Sequence, residues 1–305
     1  MELQRGQVAV VTGGGSGIGL ALAESFARAG LSIVLADVQD DALAAAEARI
    51  AALGVEVLRV HTDVSKAAEV EALAAATMER FGAVHVVCNN AGVGGAGDPW
   101  LGPLTTWEWV RGVNFWGVVH GVRAFLPHLL ASAGAAGSGA GAHVVNTSSI
   151  AGLYPVTAAP YDASKHAVVA LTESLSNTLV TMGANVGVSC LCPGWVRTGI
   201  SDSARNWPAE LGPAPVPTAL QAALSQHTRR VIEEGTQPGY VADLVVDAVR
   251  DGRFWVFPHP EFVELAMERF HAIGEGRNPS PPVQLPGMAP RADILRDVLA
   301  SLETP

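Results

Sequence analysis

Short apolar runs closed by turn or polar residues alternate along the chain with longer stretches of alanine, leucine and valine at helical spacing. QVAVVT at 7–12 reads as a buried strand that runs through a glycine turn into a helix ended by Gly30. LSIVLA at 31–36 is a second strand, followed by an alanine-rich helix over about 40–53. VEVLRVHTDV at 55–64 is a third, followed by a helix over 66–81. AVHVVCNNAG at 83–92 is a fourth, and a long helix carrying Asn114 comes after it. HVVNTS at 143–148 is the fifth strand, ahead of a helix over 160–182. The sixth strand lies within 185–192 and the seventh is RFWVFP at 253–258, with an amphipathic helix at 240–252 between them, capped by Gly252. Strand and helix in strict alternation, with mostly apolar strands, predict an α/β fold: a single doubly wound parallel sheet of about seven strands with helices on both faces.

The remaining segments punctuate that plan. The small-residue tract at 131–142 reads as a surface loop. Residues 200–239 turn polar and proline-rich before becoming helical, and a long excursion at a strand's carboxyl end reads as a substrate lid. A helix is expected at 261–273 and an extended proline-rich tail at 275–290, with a short amphipathic turn, ADILRDVLASL, closing the chain. This gives one catalytic domain over 1–260, including a lid at 199–239, and a C-terminal helix and extension over 261–305.

Composition removes several classes of function. No apolar run is long enough to span a bilayer, and the N-terminal stretch lacks the apolar core and small-residue cleavage site of a secretory signal, so a cytoplasmic protein is expected. A net charge of -10 repels a nucleic-acid backbone. The three cysteines, Cys88, Cys190 and Cys192, sit in apolar strand-like stretches as reduced structural thiols. The nine histidines show no metal-ligand spacing, so no metal is expected.

Candidate chemistry follows from spacing. Gly13, Gly17 and Gly19 form Gly-x3-Gly-x-Gly between a strand and a helix, where backbone N–H groups can approach a pyrophosphate at the helix N-terminus. Asp37, 18 residues beyond Gly19 at the end of the second strand, is placed either to accept the adenosine ribose hydroxyls or to cap the next helix, for which Asp40 and Asp41 also serve. Tyr161 and Lys165 stand one helical turn apart, and a fixed cation favours phenolate in a group whose free pKa is about 10. Asn114 is a poor helix-interior residue whose presence propensity does not explain.

With Thr12-Gly-x3-Gly-Ile-Gly19, Asn89-Asn-Ala-Gly92, Asn114, Ser149, Tyr161-x3-Lys165 and Pro193-Gly194 in this order, the chain resembles the classical short-chain dehydrogenase/reductase family over about residues 5–260. The resemblance implies a Rossmann-type domain binding NAD, with Asn114, Ser149, Tyr161 and Lys165 catalytic. Ser149 is preferred to Ser148 because the family pattern is Ser-x-x-Gly and Gly152 follows Ser149 by three. It assigns Gly13, Ser16, Gly17, Ile18 and Gly19 to the cofactor turn and Asn90, Ala91 and Gly92 to the cofactor's edge. Val196 and Thr198 fall to the nicotinamide carboxamide, and Tyr161 and Lys165 also reach the cofactor. Asp63 and Val64 are placed against the adenine, although Asp63 and Ser65 are equally suited to cap the helix that follows. In the family the backbone carbonyl at the Asn114 position holds a water next to the lysine.

The implied reaction interconverts a secondary alcohol and a ketone. Leu153, Tyr154, Pro155, Trp195 and Trp207 are carried over to the substrate side and suit a bulky hydrophobic or aromatic alcohol. Small and apolar residues on two helices (Ala163, Val168, Val169, Leu171; Val118, Val119, Val122) suggest a homodimer or homotetramer, since these helices pair across a two-fold axis in the family. Two rivals remain: the epimerases and dehydratases of the extended branch, opposed by the Gly-x3-Gly-x-Gly spacing and the short region after the sheet, and a catalytically silent NAD-binding regulator, opposed by the intact catalytic set.

Overall fold

The computed structural model describes residues 1–303 apart from 96, 135–140 and 157. Seven parallel strands form one sheet in the order β3-β2-β1-β4-β5-β6-β7. They are β1 (Val8–Thr12), β2 (Ser32–Asp37), β3 (Val57–His61), β4 (Val86–Asn89), β5 (Ala142–Thr147), β6 (Val186–Leu191) and β7 (Trp255–Val256). β1 is central, with Val10 opposite Val34 of β2 on one side and Val87 of β4 on the other. The chain winds outward from β1 in both directions, so the crevice where a doubly wound sheet binds ligands opens beyond the carboxyl ends of β1 and β4.

Because side chains alternate along a strand, β1 and β2 feed two cores. Ala9, Val11, Ile33 and Leu35 pack under α1 (Gly17–Arg28), α2 (Asp40–Ala51) and α8 (Pro238–Asp251), with Leu22 and Phe26 fully buried. Val8, Val10, Val34 and Ala36 pack under α3 (Ala67–Phe81), α5 (Gly117–Ser132) and α6 (Ala159–Thr181) on the other face. Each fully buried leucine or phenylalanine contributes about 2 kcal/mol from removal of apolar surface from water.

The long helix expected to carry Asn114 is interrupted. α4 (Thr105–Arg111) passes through one π turn, Gly112–Trp116, into α5. Such a bulge shifts the backbone hydrogen-bond register by one residue and is common at functional sites. Beneath it runs a buried polar chain: Asn89 Nδ2 donates to Asn146 Oδ1 at 2.9 Å and Asn146 Nδ2 donates to Thr172 Oγ1 at 3.1 Å, linking β4, β5 and α6.

Strand and helix positions follow the sequence reading, but both sheet edges are shorter than their apolar runs, since β3 and β7 pair only over Val57–His61 and Trp255–Val256. Of the 131–142 tract, residues to Ser132 belong to α5 and β5 begins at Ala142, while 135–140 lie outside the described residues. The final amphipathic turn is a full helix, α10 (Arg291–Glu303), which packs on the lid helix α7 (Ala219–Glu233) of the same chain. Of the residues assigned to a subunit interface, Val118, Val168 and Val169 are buried within this chain instead. Among the described residues no helix is long and apolar enough to cross a membrane.

Gly121 of α5 lies so close to β4 that a Cβ there would stand 1.9 Å from Asn89 Oδ1. Gly121→Ala is expected to destabilise the protein by about 1–3 kcal/mol through overpacking, read as a lower denaturation midpoint. An unchanged midpoint would mean that Asn89 yields without disturbing the polar chain.

Candidate active site

The carboxyl ends of the central strands open on a cleft of about 1080 Å³. Its cofactor-facing rim is built from backbone. Gly13 has φ +66°, and Gly19 lies so near it that a Cβ at Gly19 would stand 2.0 Å from the Gly13 carbonyl oxygen. A Cβ at Gly13 would stand 2.9 Å from Ala91 Cα. Thr12 ties the turn to the end of β4: its Oγ1 accepts from the N–H groups of Asn90 and Ala91 at 2.9 and 3.1 Å, and its carbonyl accepts from Asn90 Nδ2 at 3.0 Å. A cradle that side chains would fill, at the N-terminus of α1, fits the phosphates of a dinucleotide. Ser16, Gly17 and Ile18 line it, together with Asn90, Ala91 and Gly92.

Asp37 lines the same cleft, with Oδ2 accepting from Gly15 N at 3.1 Å and Oδ1 from Gln39 N at 3.2 Å. The residue before α2 is Gln39, and Asp37 does not cap that helix. The Asp63 carboxylate accepts from both Ser65 N and Ser65 Oγ and pairs with Lys66 at 3.3 Å, so it organises the start of α3 while lining the cleft beside Val64. Val196 and Thr198 follow β6 and also line the cleft; the Thr198 methyl group is 3.1 Å from where a Gly17 Cβ would stand.

At the inner end of the cleft, three elements converge. Ser149 leaves β5 in extended conformation, its Oγ accepting from Ala151 N at 3.1 Å and sharing a hydrogen bond with the Tyr161 phenol. Lys165, one turn along α6 from Tyr161, donates from Nζ to the Thr147 carbonyl at 2.8 Å and stands 5.6 Å from the centre of the tyrosine ring. Asn114 bonds both sides of one residue, its Oδ1 accepting from Val93 N at 2.8 Å and its Nδ2 donating to Val93 O at 3.0 Å, with a further bond to Ser164 Oγ. A Cβ at Gly92 would lie 3.4 Å from Asn114 Oδ1 and 3.6 Å from Lys165 Nζ, so the strand end, the π turn and α6 meet there. Ser148 instead donates to the Lys165 carbonyl at 2.8 Å, a bond within the scaffold.

Burial dominates the electrostatics. It raises the Tyr161 pKa, against which the Ser149 hydrogen bond pulls down, and it pushes Lys165 down to about 8. The sequence reading made Lys165 the group that depresses Tyr161. In the structure the ammonium is aimed at Thr147 rather than at the phenol oxygen, and desolvation of the phenol sets the direction of the shift.

The substrate side differs from expectation. Trp195 lines the cleft, joined by Trp109, but Leu153, Tyr154, Pro155 and Trp207 do not. Leu153 packs with Phe262 of α9 (Glu261–Gly274), and Trp207 stacks edge-on against Trp109 at 5.0 Å, behind the wall. The wall is completed from the tail, which the sequence reading left unassigned: Leu285, Met288 and Ile294 line the cleft, and Trp195 Nε1 donates to Pro286 O at 2.7 Å. The spacing of Ile294 and Val298, both buried, was the available signal for a docked helix. The excursion expected to be a lid is pinned at its base where Val196 bridges Thr236, and His259 of the Pro-His-Pro run holds both ends: Gly194 N donates to its Nδ1 at 3.0 Å, and its Nε2 bonds Thr236 Oγ1 at 2.9 Å. Burial keeps this histidine's pKa low, which preserves Nδ1 as an acceptor. Among the described residues no cluster of side chains could hold a metal ion.

Lys165 carries a testable linkage. Its pKa falls from 10.5 to about 8 on folding, so wild type bears the cost of a buried ammonium in full below pH 8 and loses that cost as pH rises toward 10.5. Compared with Lys165→Met, wild type should therefore gain about 3 kcal/mol of relative stability between those limits, measured by denaturant unfolding across pH. A pH-independent difference would show that the ammonium is already well solvated.

Comparison with known proteins agrees with this arrangement. The short chain dehydrogenase family model matches residues 7–209. The chain is 44% identical over 276 residues to a 1-deoxy-11-beta-hydroxypentalenate dehydrogenase of Streptomyces avermitilis, covering 90% of this chain and 92% of that protein. It is 34% identical over 231 residues to 3beta-hydroxysteroid dehydrogenase 2 of Eggerthella lenta, covering 73% and 83%. Among solved structures, a short chain dehydrogenase/reductase from Burkholderia phymatum in complex with NAD superposes with a TM-score of 0.87 at 44% identity, covering 93% of this chain and all of that one. Fold, motif geometry and relatives coincide, and the chain belongs to the short-chain dehydrogenase/reductase family of oxidoreductases.

Proposed function

We propose that this protein is an NAD-dependent dehydrogenase interconverting a bulky, hydrophobic secondary alcohol and its ketone. The observation that carries this reading is the convergence of Ser149, Tyr161 and Lys165 on one end of a cleft whose other end is a glycine cradle flanked by Asp37. Bound NAD supplies the hydride acceptor at the carbinol carbon. The chain supplies position and proton transfer. Ser149 hydrogen-bonds the substrate oxygen, and Tyr161 takes the hydroxyl proton or, in the reverse direction, donates it. In the protonated form that burial favours, Tyr161 is a donor suited to ketone reduction; in the phenolate form it is the base for oxidation. Lys165, whose ammonium is held at the Thr147 carbonyl, would bind the nicotinamide ribose, and Asn114 holds Val93 to the π turn beside it.

Substrate class rests on the wall. Ile150, Val113, Trp109, Trp195, Leu224 and Leu285 are apolar or aromatic and line one side of the cleft, which suits a large alicyclic or aryl skeleton. The hydroxysteroid dehydrogenase among its relatives is in keeping with this. NAD rather than NADP rests on Asp37, whose carboxylate opposes a 2′-phosphate, and on Lys66, whose ammonium is engaged by Asp63, Glu69 and Glu210. We also infer a cytoplasmic homodimer or homotetramer built on α5 and α6, supported by Trp116, 43% exposed at the end of the π turn that leads into α5, and by the exposed Ala163 of α6.

Two measurements test the reading. With NAD and a panel of alicyclic and aryl secondary alcohols, Tyr161→Phe should lose at least about 100-fold in turnover while its affinity for NAD stays within about twofold; a variant retaining a tenth of the rate removes Tyr161 from the chemistry. On one alcohol, kcat/KM with NAD should exceed that with NADP by about 100-fold or more. Equal use of the two cofactors would place Asp37 away from the ribose.

A further inference from the structure

The first part of the lid is turned toward the cofactor cradle rather than the substrate wall. Thr198 abuts Gly17 at the start of α1, and Ser203 Oγ accepts from Gly94 N at 3.0 Å. Farther along, Asn206 Oδ1 accepts from Gln39 Nε2 at 2.6 Å, and Glu210 reaches Lys66 at 3.6 Å. Residues 198–210 thus form a strap that crosses from the N-terminus of α1 to the carboxyl ends of β2 and β3, over the route a dinucleotide takes from pyrophosphate to adenosine ribose in the reading above.

Arg205 stands midway along that strap and lines the cleft. Its Nη1 donates to the Gly199 carbonyl at 2.8 Å, which folds the guanidinium back toward the residue next to Thr198, and so toward the glycine turn. The strap's own carboxylates are taken: Asp202 pairs with Arg229 and Glu210 with Lys66. Among the described residues no carboxylate forms an ion pair with Arg205. A planar fork of donors that faces the cleft without a counter-ion is suited to a phosphate oxygen pair.

We propose that Arg205, carried on the strap 198–210 that is anchored at Gln39 and Lys66, binds the cofactor's pyrophosphate. The inference rests on the dinucleotide reading and adds a cationic contact from the lid to a cradle otherwise made of backbone. It also separates the lid into a cofactor strap and a substrate-facing helix, α7.

Calorimetric titration of the full-length protein with ADP, adenosine and 2′-AMP, for wild type, Arg205→Gln and Arg205→Lys, tests this without turnover. Arg205→Gln should bind ADP about tenfold more weakly, with Arg205→Lys between it and wild type, because a lysine keeps the charge but not the fork. Adenosine, which lacks phosphate, should bind wild type and Arg205→Gln within about twofold of each other, and the tenfold ADP difference should shrink from about 50 to about 500 mM salt. Equal ADP affinity in wild type and Arg205→Gln overturns the assignment while leaving the dinucleotide reading intact. So does an equal loss for adenosine, which would make Arg205 only a brace for the strap, or a loss confined to 2′-AMP, which would place the guanidinium at the ribose. If wild type binds neither ADP nor adenosine, the dinucleotide reading fails and this inference fails with it.

Discussion

The ammonium of Lys165 is taken out of water and given a hydrogen bond to Thr147 O, a carbonyl at the last residue of β5. Desolvating a charge for one such bond is unfavourable, and burial pushes the lysine's pKa down to about 8. The surroundings must therefore fix the lysine from the backbone side. Ser148 bonds the Lys165 carbonyl, and Gly152 packs so closely that a Cβ would lie 2.4 Å from Ser148 Oγ and 2.7 Å from that same carbonyl. Through Asn146 and Thr172, β5 is also bonded to the next turns of α6, so strand and helix cannot slide relative to each other. What looks like two adjacent serines with one function is a division of labour: Ser148 fixes the helix, which leaves Ser149 for the cleft.

The same logic of backbone fixation governs the other end of the site. Asn90, just beyond β4, donates twice to Thr12 at the end of β1, from its backbone N–H and from its side-chain amide, at the point where the chain winds away in both directions. That crevice would be lost if the two strand ends splayed. The glycine turn is thus positioned by polar side chains that face the sheet, while the surface it offers to a ligand is almost wholly peptide. In the reading proposed above, a charged contact to phosphate would come from Arg205 on the 198–210 strap, which lines the same cleft.

Much of this was legible in the sequence because each signal had a local physical cause. Glycines at 13, 17 and 19 are required by close approach, and strand assignments needed only continuous apolar runs. Asn114 was flagged as a misfit in a helix, and the reason is a π turn whose asparagine binds the Val93 peptide at both ends, something no propensity scale encodes. Failures came where a residue has two plausible sides. Val118, Val168 and Val169 are apolar on long helices with more than one buried face, and periodicity does not say whether a given face meets the sheet or another subunit. Leu153 and Tyr154 follow Ser149 closely, yet the chain turns there toward α9, where Arg269 donates to the Leu153 carbonyl. The expected depression of the Tyr161 pKa failed for a different reason, since spacing places two groups on one face without saying where the ammonium points or how deeply the phenol is buried.

The family match spans residues 7–209 and contains Asn114, Ser149, Tyr161 and Lys165. The apolar wall draws on residues beyond it: Leu224 on α7, then Leu285, Met288 and Ile294 from a tail of little regular structure and its final helix. Asn114, Ser149, Tyr161 and Lys165 and these wall residues thus lie in different parts of the chain, under different constraints. Asn114 and Lys165 are held by hydrogen bonds to Val93, beyond β4, and to Thr147 at the end of β5, and a displacement of about one ångström there breaks them. The tail is held mainly by apolar contact with Trp195 and Phe262 and by the Trp195 bond to Pro286, contacts that tolerate exchange of one hydrophobe for another of similar volume. A pocket walled in this way can be reshaped by changes after residue 220 without disturbing Tyr161 or Lys165. Likeness to relatives over the sheet therefore speaks to the reaction, and the shape of the substrate has to be read from α7, the tail and α10.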